Sequence, residues 1–287
     1  MSNQFKIKKI LILGSSGQIG SSLTRYLKSK NYEVEEFDLE NEISQDLRIR
    51  ENARLIQALQ NCQFVFFLAF DVGGSHYLEK YQNTVPFMLN NLQIIANTIE
   101  QLEKTRTPFI YASSQMATMD FSTYGLLKAI GERASQSSNG RVVHFWNVFG
   151  LETQEEKFHV ISDFIRMAML EKKITMRTRG DEKRDFLYVD DCSEALEKVM
   201  LNFYLIDKVE NLHIAKGEFT PIIDIAEFIG NELGASVQRG EIGDLVQKNH
   251  VNYPDPGIRK YWSPKVELHE GVRKVIHGMK EYGKYSS

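Results

Sequence analysis

KKILILGSSGQIGSSLTRYLKSK, residues 8–30, decides the fold. After the lysines comes an uninterrupted apolar run, Ile10 to Leu13, which reads as a strand covered on both faces. Gly14, Gly17 and Gly20 follow in GxxGxxG spacing, and QIGSSLTRYLKSK has helical patterning. A strand, glycine loop and helix in this order make a tight turn, let backbone approach a pyrophosphate and aim a helix N-terminus at it. The flanking elements carry the reading, because glycines collect in any loop.

Working outward, YEVEEFD (32–38) reads as a second strand, ending in Asp38, and QFVFFLAF (63–70) as a later apolar one. PFMLNNLQIIANTIEQLEK (86–104) is a long amphipathic helix, PFIYASS (108–114) a strand, YGLLKAIGERAS (124–135) a helix and RVVHFWNVFG (141–150) one more strand. This alternation predicts an α/β fold with a Rossmann-type doubly wound parallel sheet. Beyond Gly150 the pattern predicts a helix over roughly 158–171 and a short strand near ITMRT. DFLYVDD then leads into a helix through Met200, NLHIAK is a strand, and PIIDIAEFIGNEL is a helix capped by Thr220. We expect a Rossmann domain over 1–150 and a smaller C-terminal α/β lobe over 151–287, with some segments of the lobe returning to the Rossmann domain.

The 287 residues suffice for one such unit, and 42% hydrophobic with 25% charged residues is a globular balance. A net charge of −3 argues against a nucleic-acid partner. The apolar run that stops at Gly14 is too short for a secretory segment, and no stretch approaches the roughly 18–20 apolar residues of a membrane span. A cytoplasmic protein without a membrane partner is expected. Cys62 and Cys192, far apart and outside any CxxC, read as buried free thiols, and no metal site is expected.

Asp38 stands where a carboxylate can accept hydrogen bonds from ribose hydroxyls and repel a 2′-phosphate, favouring NAD over NADP. Its alternative is a solvated acid among Glu35, Glu36 and Glu40. Tyr124 and Lys128, four apart, share one helix face just after a strand that ends in Ser113 and Ser114. A phenol acting as a base at neutral pH needs roughly 4 kcal/mol of stabilisation of its anion. One ammonium about 4 Å away supplies that order of energy, so Lys128 is expected to lower the Tyr124 pKa. Ser114 is the partner hydroxyl and Ser113 its rival, depending on which faces the site.

YGLLKAIGE resembles the YGxSKxxGE of extended short-chain dehydrogenases/reductases, in which the GxxGxxG spacing is also found. RVVHFWNVFG resembles their RxxNVYG, and KRDFLYVDD their RDFxYVDD. From about Lys9 to Ile276 the chain resembles the NAD-dependent NDP-sugar epimerase/dehydratase group. The resemblance implies NAD held by Gly14, Gly17, Gln18, Ile19, Gly20, Asp38, Asp46, Leu47 and Ala69, with Tyr124 and Lys128. Asp46, in QDLR, would flank adenine or be a turn aspartate. The resemblance further implies that Tyr124 takes a sugar hydroxyl proton as hydride moves to NAD. Lys128 would hold the nicotinamide ribose, and Ser114 would bond the reacting oxygen.

For a nucleotide-diphosphate sugar, the resemblance assigns Asn147 and Arg184 to the phosphates; the alternative for Arg184 is a surface ion pair with Asp181 or Asp185. Asp190 and Asp191 read as a helix N-cap. DVGGSH (71–76) resembles the VGG loop of GDP-sugar 4-keto epimerase-reductases and GDP-mannose 3,5-epimerases, which adds Gly74 and His76 and tilts the substrate toward a GDP-sugar. KFHVI places His159 where that subgroup has an acid/base, or as an exposed helix-start histidine.

Three departures shape the expectation. The stretch from Ser114 to Tyr124 is shorter than in that branch, at the expense of a lid or pocket wall. Gln115 and Met116 replace the Asp-Glu pair of 4,6-dehydratases, and Met116 stands nearest the missing cysteine of 3,5-epimerases. Oxidation or reduction at one sugar carbon, C4 first, remains, with or without net epimerisation. An NAD(H)-binding sensor and an NADH-dependent 4-keto-sugar reductase are the alternatives. A homodimer through the helix at 87–104 and the helix after Tyr124 is the expected assembly.

Overall fold

The computed structural model describes residues 7–244 and 253–281. The outer limits of the two expected regions, 1–6 and 282–287, therefore lie outside the described residues, as do 245–252 of the lobe.

β1 (Lys9–Leu13) leads through the glycine turn into α1 (Gln18–Ser29), then β2 (Glu33–Phe37). α2 (Ala53–Asn61) follows, begun by Asn52, whose side chain accepts from Leu55 N at 3.0 Å. β3 (Phe64–Phe67), α3 (Ser75–Tyr81), α4 (Val85–Thr105), β4 (Phe109–Ser114), α5 (Thr123–Ser137) and β5 (Gly140–Phe145) complete the first half. The remainder is β6 (Asn147–Phe149), α6 (Val160–Glu171), β7 (Lys173–Thr175), β8 (Lys183–Tyr188), α7 (Val189–Leu201), β9 (Leu212–Ile214), β10 (Phe219–Pro221), α8 (Ile222–Leu233), β11 (Ser236–Gln238) and α9 (Leu268–Glu281).

The main sheet runs β2-β1-β3-β4-β5-β9 with every pairing parallel, the doubly wound sheet that the alternation predicts. Its order turns at β1, between β2 and β3, and ligands of such sheets lie outside the carboxyl ends at that crevice. Side chains alternate across the sheet. Ile10 and Ile12 pack with Leu23, Leu27 and Val199 on one face, whereas Leu11 and Leu13 pack with Leu55, Leu59 and Leu102 on the other. Each fully buried aliphatic side chain of this kind contributes roughly 1.5–3 kcal/mol. A third cluster, including Phe149, Phe164, Phe186 and Ile225, ties α6, α8 and α9 to a small sheet of order β10-β8-β6. β7 and β11 form a separate parallel pair.

Several local expectations are corrected. The run 141–150 is not one strand: β5 pairs with β4 and β9, while β6 pairs with β8. The break falls at Trp146, where Val148 N donates to Trp146 O at 3.0 Å and the indole N–H donates to His213 Nδ1 at 3.2 Å. Thr220 is not a cap. It sits in β10 opposite Arg184, and α8 begins after Pro221 without a side-chain cap. Asp190 and Asp191 lie in the first turn of α7, with Tyr188 in the N-cap place. Asp191 instead accepts from Lys265 N at 2.9 Å and Val266 N at 2.8 Å, and so anchors the chain ahead of α9. Both cysteines are free, but Cys62 is only half-buried where Cys192 is fully enclosed. Among the described residues no helix is long and apolar enough to cross a membrane.

Candidate functional site

The three loop glycines serve different ends. Gly14 has φ +90°, and a Cβ on it would lie 2.7 Å from Ala69 N, so the loop after β3 can close against the turn after β1. A Cβ on Gly20 would stand 2.0 Å from Gly14 O, which fixes α1 tightly against the turn. Gly17 is the N-cap of α1, with ordinary space around it. Gln18, one residue on, donates to Val148 O at 3.1 Å and accepts from Gly150 N at 3.0 Å in the amide orientation that satisfies both ends.

Asp38 follows β2 directly and accepts from Ser16 N at 2.9 Å and Glu40 N at 3.0 Å. It therefore faces the glycine turn and is more than a solvated strand-end acid. Asp46 is gripped by Arg48, with Nε 2.9 Å from Oδ1 and Nη2 2.7 Å from Oδ2, and these bonds hold its carboxyl below the usual range. Leu47 is buried beside it.

At the end of β4 the register separates the two serines. Ser114 accepts from Met116 N at 3.2 Å and hydrogen-bonds the Tyr124 hydroxyl. Ser113 turns to Glu132, whose Oε1 also lies 3.0 Å from His144 Nε2. The short connection from Ser114 to Tyr124 is a 3-10 turn over Gln115–Thr118 followed by α5, capped by Ser122 Oγ accepting from Gly125 N at 3.1 Å. A Cβ on Gly125 would meet Met116 O at 2.1 Å, so glycine lets this turn and the helix touch.

The expected electrostatics of the pair are corrected. Burial pushes the Tyr124 phenol up to about 12, against a smaller opposing effect of Ser114, and burial pushes Lys128 down to about 7, against Glu132. The ammonium donates to Ala112 O at 2.7 Å and lies 3.8 Å from the Phe70 ring centroid, but 5.9 Å from that of Tyr124. In this geometry the lysine is stabilised by a carbonyl and an aromatic face, not by the phenol.

Toward the lobe, Asn147 donates to Asp185 O at 3.1 Å. Arg184 pairs with neither Asp181 nor Asp185 but with Asp244, both side chains 14% exposed. Gly74 begins α3, and a Cβ there would stand 2.1 Å from Phe158 O, so the VGG loop lies directly on the chain that presents His159. His76 is exposed, 3.5 Å from Arg177 Nη1. Half-exposed His159 is the N-cap of α6, and its Nδ1 lies 2.6 Å from Glu152 Oε1. Its partial desolvation disfavours the cation, yet the Glu152 carboxylate outweighs that and raises its pKa.

One cavity of about 840 Å³ joins all of these groups, from Gly14, Ile19, Asp38, Leu47 and Ala69 through Ser114, Tyr124 and Lys128 to Asn147, His159 and Arg184. Among the described residues no cluster of His, Cys, Asp or Glu could hold a metal ion. Sequence reading missed Phe70, Glu152 and Asp244. Glu152 stands seven positions before its histidine, a spacing no helix or strand rule flags, and Asp244 lies 60 positions from Arg184.

Among known proteins, UDP-glucuronic acid decarboxylase 1 of Xenopus tropicalis is 24% identical over 308 residues, which cover 94% of this chain and 72% of that protein. GDP-L-fucose synthase 1 of Arabidopsis thaliana is 23% identical over 320 residues, 94% of this chain and 92% of its own. The solved structure of epimerase Mth375 from Methanothermobacter thermautotrophicus superposes with a TM-score of 0.82 at 20% identity, covering 98% of this chain and 94% of that one, a likeness of fold. The family model described as NAD dependent epimerase/dehydratase matches residues 10–215, from the first strand past the glycine turn, Tyr124, Lys128 and Arg184. The chain therefore belongs to the NAD-dependent epimerase/dehydratase family.

Proposed function

We propose that this enzyme oxidises the hydroxyl-bearing C4 of a nucleotide-diphosphate sugar, or reduces the corresponding ketone, with or without net epimerisation, and that its substrate is a GDP-sugar. The single cavity carries the reading, because it connects the glycine turn and Asp38 to Tyr124 and then to Asn147 and Arg184 without a break. Residues 1–150 would mainly hold the cofactor and 151–287 mainly the sugar nucleotide. The GDP preference is supported by the similarity to GDP-L-fucose synthase over most of both chains.

The residues present fit NAD, since Gly14 and Gly20 let the turn after β1 close tightly at the start of α1 and Asp38 accepts from Ser16 N at that turn. Bound NAD supplies a hydride acceptor and, in its reduced form, a hydride donor. Gly14, Gly17, Gln18, Ile19 and Gly20 would line its pyrophosphate side, with Asp38, Asp46, Leu47 and Ala69 toward the adenosine. Tyr124 would move the sugar hydroxyl proton, Ser114 would orient the reacting oxygen, and Lys128 would hold the nicotinamide ribose. Arg184 and Asn147 hold the diphosphate, Gly74 and His76 wall the sugar, and His159 is a further proton donor or acceptor.

A homodimer is part of the proposal. Val85, Leu89 and Leu92 on α4 and Leu126 and Ile130 on α5 are apolar and exposed at helical spacing, as a helix pair awaiting a second copy would be. A cytoplasmic setting fits the free thiols.

Native mass spectrometry of the purified protein tests co-retention of NAD and a sugar nucleotide. Single-turnover NADH absorbance with GDP-, UDP-, CDP- and dTDP-sugars then tests the chemistry. Failure of every sugar nucleotide to change the absorbance would leave the NAD(H)-binding sensor instead.

One observation favours a second reading, reduction of a 4-keto sugar nucleotide. A phenol held at about 12 is protonated at neutral pH, the state needed to give a proton to a ketone oxygen as hydride arrives at its carbon.

A further inference from the structure

His159 stands at the N-terminus of a twelve-residue helix, where the backbone dipole disfavours a cation, yet its pKa is raised. The cause is Glu152. One carboxylate oxygen accepts from His159 N at 3.0 Å while the other lies 2.6 Å from Nδ1, and the Glu152 side chain is 8% exposed. A single acid thus holds both the main chain and the ring of one histidine. Its Nδ1 being engaged, Nε2 is the ring nitrogen left to serve the cavity that His159 lines.

We propose that Glu152 is a positioning residue for this reaction: it fixes the Nδ1–H tautomer of neutral His159 and keeps Nε2 able to carry a proton toward the bound sugar. This rests on the reading of the cavity given above. In the step, the Nε2–H bond of the imidazolium breaks, the proton goes to the sugar or its developing anion, and the ring is left neutral with Nδ1–H on Glu152. Solvent returns the proton afterwards.

The other ionisable groups along this wall are Lys157, Asp163, His76, Glu79 and Arg177. Asp163 Oδ1 is turned to Arg166 at 3.1 Å, Arg177 pairs with Glu79 and sits by His76, and Lys157 Nζ lies 5.5 Å from the Tyr77 ring centroid. Glu152 is the group in position to act on the imidazole. The VGG loop backs the arrangement, since Gly74 N donates to Lys157 O at 3.0 Å and Gly74 leaves no room for a side chain beside Phe158.

The test is a proton NMR titration of the histidine rings in the full chain, with the His159 signal assigned by its loss in His159→Gln. Glu152→Gln should move the His159 titration to lower pH, below that of an ordinary imidazole, while Glu152→Asp should keep part of the elevation. An unchanged titration in Glu152→Gln overturns the proposal, whatever the activity. The second measurement is the pH profile of single-turnover hydride transfer with the sugar nucleotide to which the wild type responds. Glu152→Gln should be about 10- to 100-fold slower and its alkaline limb displaced to lower pH in step with the NMR shift. A profile that coincides with that of the wild type despite a shifted titration also overturns it. If the wild type transfers no hydride with any sugar nucleotide, the function proposed above fails and the role of Glu152 in it falls too. The titration then still decides whether the pair exists.

Discussion

Arg184 and Asp244 hold each other across 60 positions of sequence, at the end of the cavity assigned to the diphosphate. A phosphate arriving there meets a guanidinium already matched by a carboxylate. Arg184→Ala should weaken sugar-nucleotide binding by roughly 1.5–3 kcal/mol, the worth of a charged hydrogen bond, and leave NAD binding intact. Asp244→Asn should strengthen it, by removing the competing anion. Calorimetry with GDP-, UDP-, CDP- and dTDP-sugars checks both, and unchanged affinities for all of them would remove Arg184 from the site.

Tyr124→Phe keeps the ring in contact with Phe70 and deletes the hydroxyl that meets Ser114. The redox step should slow about 10²- to 10⁴-fold while NAD affinity is retained. Stopped-flow NADH absorbance on wild type, Tyr124→Phe and Ser114→Ala reads this directly. Hydride transfer at the wild-type rate would eliminate the phenol as the proton carrier.

NAD(H) should bind far better than NADP(H), because a 2′-phosphate would approach the Asp38 carboxylate. Asp38→Ser should narrow the preference. Fluorescence titrations with the four cofactor forms measure it, and a wild-type preference for NADP would contradict the assignment of Asp38.

The buried pair gives stability a distinct pH course. Burial lowers Lys128 from 10.5 to about 7, so between those values the unfolded chain holds a proton that the folded chain has released, and stability rises with pH. Tyr124 is raised from 10.0 to about 12, so above 10.0 the unfolded phenol ionises first and stability falls. Lys128→Met should abolish the rise and leave the fall. Thermal unfolding midpoints of both proteins from about pH 6 to about pH 11 check the signs.

Leu89→Arg on α4 and Leu126→Arg on α5, at sites 51% and 48% exposed, should each convert a homodimer to a folded monomer. Sedimentation velocity at micromolar concentration is the measurement. A wild type that sediments as a monomer removes the dimer from the proposal.

The main sheet was legible in sequence because β1 and β3 are buried on both faces, and burial of that kind forces continuous apolar runs. The short α3, β10 and β11 were not, since elements of so few residues show too little periodicity to stand out. Candidate site residues such as Gly20 and Tyr124 stood out by local motif, because the motif lies in their near neighbours in sequence, and the fold brings them to one cavity. What motif could not give is the electrostatics. The raised phenol depends on how deeply Tyr124 is enclosed, and the partner of Arg184 arrives from a distant part of the chain. Choosing Ser114 over Ser113 needed the register of β4 against its neighbours, which places Ser113 by Glu132.

Trp146 alone separates β5 from β6, so a strand of the main sheet continues almost at once into a strand of the small one. There is no slack at that crossing. Adding one residue beside Trp146 would put β6 out of phase, turning Asn147 from one side of its strand to the other and Val148 toward the opening. The crossing thus acts as a phase lock: a length change there would misdirect the part of the cavity lined by Asn147 and also move Val148 and Gly150 away from the Gln18 amide at the glycine turn.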